Sequence, residues 1–212
     1  MSENIWVNEQ NSVQIKTGTG MVYVDPFRIK GSPKDAAFIF ITHDHYDHFS
    51  PEDIEKAAGD DTVLVVPEKM KSKAEEVSGL VRRIVTVKQE MSTELEGLKF
   101  ETVPAYNLLK PFHPKAAGWV GYIFTVDGKR IYVAGDTDAT KEAQAVKCDV
   151  AIVPIGGTYT MNAKKAAELV NGISPETAIP VHYGTVVGSP GDGEVFAENV
   201  KAPVKVEFKI GF

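Results

Sequence analysis

Short runs of β-branched and aromatic residues, separated by Gly, Asn, Asp and Pro, recur along the whole chain. They predict strands over 12–16, 21–24, 38–41, 62–66, 83–87 and 99–103. A second series is predicted over 120–126, 130–133, 150–154, 177–181 and 204–209. Two of the connections, "KTGTGM" and "VDGKR", carry hairpin turn chemistry, the second through Asp127-Gly128. Helical spacing is confined to five stretches: 50–59, 67–79, 140–147, 162–172 and 193–200. The first has Ser50 as N-cap, Pro51 at the first helical position, Asp53 in the capping-box place and Gly59 as the expected C-cap. Thr160 or Asn162 is expected to cap the fourth. No repeat, low-complexity run or long linker interrupts the pattern. It predicts a single α/β domain over 1–212, a sandwich of two sheets with helices on the outer faces.

Composition narrows the functional classes. Twenty-three basic residues against 29 acidic ones give a formal charge of −6, the opposite of the basic footprint of a nucleic-acid-binding surface. The apolar runs are too short to span a bilayer, and "MSENIWVNEQ" lacks the features of a signal peptide. One cysteine, Cys148, excludes an intramolecular disulfide and is expected to be a buried, inert thiol. A reducing, cytoplasmic setting and a small-molecule substrate are the expectation. A homo-oligomer is compatible with the chain.

The candidate chemistry is concentrated at "ITHDHYDHFS", residues 41–50. Three of the five histidines fall within six positions, between a predicted strand and a capped helix. His43 and His45 are two apart, so an extended backbone points both to one side. Asp47 and His48 come where the chain turns into the helix. Imidazole and carboxylate ligands suit zinc and related divalent ions. Further ligands are then expected at other strand ends, and two such ends carry them: Asp136 in "RIYVAGDTDAT" and His182 in "TAIPVHYGT".

His43-x-His45-x-Asp47-His48, the Gly-Asp136-Thr element and the late His182 together resemble the metallo-β-lactamase superfamily, over nearly the whole chain. "VYVDPF", with Asp25, resembles that fold's supporting first motif. "VPIGGTYTMNAKKAAELV" followed by "PVHYGT" resembles the small hydrolases akin to ascorbate-6-phosphate lactonase, near the phospholipase-D-like enzymes that cleave N-acyl phosphatidylethanolamine. The resemblance implies an αββα sandwich of two mixed sheets with one or two divalent ions at one edge. Zinc is the first choice, with Mn, Fe or Ni as alternatives. It also implies that Asp47 handles the nucleophile's proton, that Asp136 bridges two ions, and that a hydrolysed ester, lactone or phosphodiester is the product of the site.

The chain departs from the family pattern at one place. Where many members carry a further histidine, this chain has Tyr106 and Asn107; His113 follows later, between Pro111 and Pro114. Three roles compete for His113: metal ligand, catalytic contact to the oxyanion or leaving group, or exposed loop residue. Lys110 and Lys115 on the same loop are either anion contacts for a phosphorylated substrate or solvated lysines. Trp119, Tyr122, Thr158, Tyr159 and Thr160 are candidate cleft residues with equal claims as packing or capping groups. Two rivals to hydrolysis remain: a non-catalytic metal-binding module and a metal-dependent oxidoreductase on the same fold.

Overall fold

The computed structural model describes residues 2–211. Six strands form the first sheet in chain order: β1 (Ile5–Val7), β2 (Val13–Thr17), β3 (Gly20–Val24), β4 (Ala36–Phe40), β5 (Ala58–Pro67) and β6 (Arg83–Val87). β1 to β3 are antiparallel, and β3 to β6 are parallel. Seven strands form the second sheet: β7 (Ser92–Leu95), β8 (Leu98–Pro104), β9 (Val120–Val126), β10 (Lys129–Val133), β11 (Val150–Pro154), β12 (Thr177–Val181) and β13 (Lys205–Val206). Here β7 to β10 are antiparallel and β10 to β13 parallel. Both sheets are therefore mixed, as expected.

Strand alternation sets the layers. Phe38, Phe40, Val63 and Val65 face the second sheet and share a core with Phe100, Tyr122 and Phe124. Their neighbours Ile39, Ile41, Leu64 and Val66 face outward and are covered by α1 (Pro51–Ala57), α2 (Lys71–Ala74) and the turns around it. α3 (Lys141–Gln144), α4 (Ala163–Ile173) and α5 (Asp192–Asn199) cover the second sheet through Ala143, Ala166, Leu169, Val170 and Phe196.

Local chemistry explains most boundaries. Ser50 caps α1 by accepting from Asp53 N. The Asp53 carboxylate accepts from Ser50 Oγ at 2.8 Å and also from Arg28 N and Ile29 N, both at 2.9 Å, and so pins the loop ahead of β4 to the helix cap. Asn162 caps α4 through Lys165 N at 2.9 Å. The Asp127-Gly128 turn has both residues at positive φ, 50° and 75°, the type I′ signature. Gly128→Ala should destabilise the protein by about 1–2 kcal/mol, the cost of a Cβ in left-handed backbone; the midpoint of urea unfolding measures it.

Several expected boundaries are corrected. α1 stops at Ala57 rather than at a Gly59 cap, because Ala58 already pairs with Ala36 in the β4–β5 ladder. The 67–79 stretch divides into 3-10, α and 3-10 turns while Met70, Ala74 and Val77 stay buried. The 140–147 helix shortens to four residues, and the 204–209 strand to Lys205–Val206. β1 and β7 are additions at the edges of their sheets.

Candidate metal centre

The carboxyl ends of β4, β8, β10 and β12 meet along one edge of the sandwich. Gly135, at φ 64°, lets the chain turn out of β10 where a side chain would not fit: a Cβ there would lie 3.0 Å from Thr42 Cβ and 3.1 Å from Thr42 Cγ2. Asp136 is thereby aimed into the gap between the sheets. His182 leaves β12 at φ 57°, a strained conformation for a residue with a Cβ, and is held there by His182 N donating to Gln10 O at 3.0 Å.

The seven predicted residues arrive in two clusters that share Asp136. In one, His43 Nε2 lies 3.1 Å from His45 Nδ1, and His43, His45 and His113 converge within ligand reach of one another. Asp136 Oδ2 faces this group, 3.4 Å from His113 Nε2 and 4.0 Å from His43 Nε2. In the other, Asp47, His48 and His182 converge. Asp136 Oδ1 faces them, 3.4 Å from His48 Nε2 and 3.3 Å from His182 Nε2. One carboxylate thus points one oxygen at each cluster.

His113 is fully buried, so the exposed-loop reading is wrong. The chain after β8 makes a detour whose ends are tied by Asn107 N donating to His113 O at 2.8 Å. The Asn107 side chain adds a second tie, Oδ1 to His113 Nδ1 at 3.0 Å. Asn107, unfit as a ligand, positions the residue that can be one.

Hydrogen bonds on the far side of the rings decide which nitrogens face inward. His48 Nδ1 contacts Asp25 Oδ2 at 2.7 Å, so it donates. Thr42 Oγ1 gives its proton to the same oxygen at 2.6 Å and can only accept from His43 Nδ1, 2.9 Å away. His113 Nδ1 donates to Asn107 Oδ1. The Nε2 atoms of His43, His48 and His113 therefore face inward, where each can offer a lone pair to a cation. Against burial, which lowers it, Asp136 and Asp25 raise the His48 pKa to about 9, so a cation there would take the place of its Nε2 proton. His113 Nε2 and Asp136 Oδ1 are buried without a hydrogen-bond partner. Imidazole nitrogens and carboxylate oxygens brought together at these distances are a donor set that fits a divalent cation.

The charges agree. Burial holds the His43 imidazole well below its ordinary range. Burial opposes ionisation of Asp47 and Asp136 as well, yet the surrounding histidines outweigh it. Asp47 is brought down to about 2, chiefly by its hydrogen bond with His182, and Asp136 falls well below the usual carboxylate range. Both carboxylates are anionic at neutral pH.

Asp25 is the hub of the supporting shell. It accepts from Thr42 N at 2.7 Å, Thr42 Oγ1, His48 Nδ1 and Asn11 Nδ2 at 2.7 Å. Asp25→Ala frees the tautomer and orientation of His48 and should weaken metal binding about 10–100-fold; competition with a chromophoric chelator measures it. Two residues were not found from sequence. Gln10 is buried and donates to Asp47 Oδ2 at 3.4 Å, and Asn11 braces Asp25. Their stretch, "NEQNS", looks like a polar turn, and only its burial distinguishes it.

Trp119 belongs to the centre, with its ring 5.1–5.3 Å from those of His43, His45 and His113. Tyr122 is a core residue that donates to Ile41 O at 2.7 Å. Thr158 is exposed, Thr160 is buried, and Tyr159 stands at the cleft. Lys110 is neither solvated nor turned to a substrate: its ammonium donates to Asp138 Oδ1, Gly157 O and Thr160 O. Lys115 is paired with Glu142 at 2.7 Å. Cys148 is half-buried at the edge of the core rather than fully buried; desolvation still pushes its thiol up to about 12, in keeping with an inert residue.

Residues 4–182 match the family model of the beta-lactamase superfamily domain. The chain belongs to the metallo-β-lactamase superfamily. A UPF0173 metal-dependent hydrolase of Pyrococcus abyssi is 32% identical over 205 residues, covering 89% of this chain and 88% of that protein. This places the chain among the superfamily's metal-dependent hydrolases. A structure from Parabacteroides distasonis, described as a candidate metal-dependent hydrolase, superposes with a TM-score of 0.80 at 28% identity, covering 98% of this chain and 93% of that one. Igni18, a metallo hydrolase of Ignicoccus hospitalis, shares the fold at a TM-score of 0.78 and 22% identity, covering 96% and 93%. Among the described residues, no helix is long and apolar enough to cross a membrane.

Proposed function

We propose that this chain is a hydrolase that works with two divalent ions, zinc in the first instance, and cleaves an ester, lactone or phosphodiester bond of a small substrate. One ion would be held by His43, His45, His113 and Asp136 Oδ2, the other by Asp47, His48, His182 and Asp136 Oδ1. The observation that carries this reading is Asp136, whose two oxygens face two separate ligand clusters. When bound, such ions supply an acidified water near neutral pH and an electrophile for the substrate oxygen.

The protein's own residues do the rest. Asp47 lines the cleft and is anionic, placed to take the attacking water's proton. Gln10 Nε2 donates to its Oδ2 at 3.4 Å, which helps fix the carboxylate plane. His113 does not line the cleft, so we assign it to ligation rather than to the leaving group. With His113 present, the first cluster has three histidines and a carboxylate, which weakens the case for a non-catalytic module. The two sheets share one core, which supports a single domain. A lone, half-buried free thiol suits the cytoplasm.

Elemental analysis of purified protein tests the ligand assignment. His113→Ala should retain about one ion where the wild type holds two, since three of four ligands remain in one site and all in the other. Retention of both ions together with an unchanged hydrolytic rate would remove His113 from the site.

A further inference from the structure

The cleft beside the two clusters is chemically lopsided. Its floor is His45, Asp47, Asp136 and His182, and it encloses about 380 Å³. The remaining walls are Tyr46, Phe112, Tyr159, Val186 and Val187, none of them charged at neutral pH. Phe112 meets Tyr159 edge to face at 4.8 Å, and both stand partly exposed, at 44% and 37%. Aromatic surface left open at the rim of a cleft is characteristic of a binding wall.

The cations nearest these walls are already committed. Lys110 is consumed by Asp138 and two carbonyls, and Lys115 by Glu142. Arg28 pairs with Glu9 and lies over the Phe27 ring, whose edge meets Tyr46. Lys73 donates to Asp44 O. A phosphate-bearing substrate would find no guanidinium or ammonium on the walls to receive its charge. An uncharged acyl group would find rings and branched aliphatics.

We propose, on the basis of the hydrolase reading above, that the site takes an uncharged carboxylic ester or lactone whose apolar acyl chain lies between Phe112, Tyr159 and Val187. The reaction balances with water alone. The water oxygen bonds to the carbonyl carbon, and the bond from that carbon to the alkoxy oxygen breaks. The alkoxide leaves with the electron pair and takes up the proton released by the attacking water, so one water yields an acid and an alcohol from an ester, or one hydroxy acid from a lactone. Phe112 and Tyr159 are the specificity-determining residues.

Four substrates test this on the metal-loaded enzyme: p-nitrophenyl acetate, butyrate and hexanoate, and bis(p-nitrophenyl) phosphate. The expected kcat/KM rises about tenfold or more from acetate to hexanoate, as buried methylenes add apolar contact, and exceeds that of the phosphodiester. Phe112→Ala and Tyr159→Ala should raise KM for the hexanoate about fivefold with kcat little changed, because the lost contact serves ground and transition states alike. A second readout needs no turnover. By calorimetry hexanoate should bind the wild type about tenfold more tightly than acetate, and Phe112→Ala should erase most of the difference. Faster cleavage of the phosphodiester, or rates and affinities that ignore acyl length, overturns this proposal and leaves the hydrolase reading standing. No turnover of any of the four overturns both.

Discussion

Replacing Asp136 with alanine should lower hydrolysis by about 10³-fold or more, the largest catalytic effect of any single substitution in this protein. The size follows from its position. Its two oxygens face different clusters. In the two-ion proposal, losing it removes a ligand from each site and leaves the inward nitrogens of His43, His48 and His113 without the anion between them. Several kcal/mol of transition-state stabilisation depend on properly held ions, and each 1.4 kcal/mol is about tenfold in rate. The comparison variant is Asp25→Ala, whose effect passes through His48 and should be smaller. The kcat/KM of both variants, measured at saturating metal, orders the two. Equal losses, or an Asp136→Ala enzyme with undiminished rate, would contradict the bridging role.

The largest stability effect should come from Phe40→Ala. Phe40 lies at the centre of the interface between the sheets, with ring centroids 4.9, 5.0 and 4.9 Å from those of Phe100, Tyr122 and Phe124. Its partners belong to the opposite sheet and are held by their own ladders, so the hole left by the ring closes poorly. A loss of about 3–5 kcal/mol is expected for a phenylalanine truncated in such a place. Urea unfolding of the two proteins, compared at constant m-value, measures it. Because β4 runs straight into the His43 loop, the same variant should bind metal more weakly well before it unfolds. A change below 1 kcal/mol would mean that the sheets are not locked together at Phe40.

Some of this architecture was legible in the residues alone because the signals are local. The cluster at 43–48 concentrates scarce ligands between a strand and a capped helix, and Asp136 and His182 sit directly at strand ends. The turn at Asp127-Gly128 and the caps at Ser50 and Asn162 are equally local, and each has the predicted geometry. What escaped depends on tertiary contact. β1 has three residues and β7 four, too few for a period, and each exists because a neighbouring strand offers it a ladder. His113 is ambiguous in one dimension, since its burial depends on a detour stapled by Asn107. Lys110 shows the same limit from the other side: a lysine beside a candidate site invites an anion, while the fold spends it on two carbonyls and a carboxylate. Gln10 and Asn11 look like turn residues and are buried braces.

The central claim is that two cations sit on either side of one carboxylate. Anomalous diffraction from crystals grown with zinc, recorded at the metal's absorption edge, tests it most directly. Two peaks about 3.5–4 Å apart are expected, as in other two-metal hydrolytic sites, one against Asp136 Oδ2 and His113, the other against Asp136 Oδ1 and His182. No peak at the sheet edge, or a single peak that leaves Asp136 and His113 untouched, would contradict it.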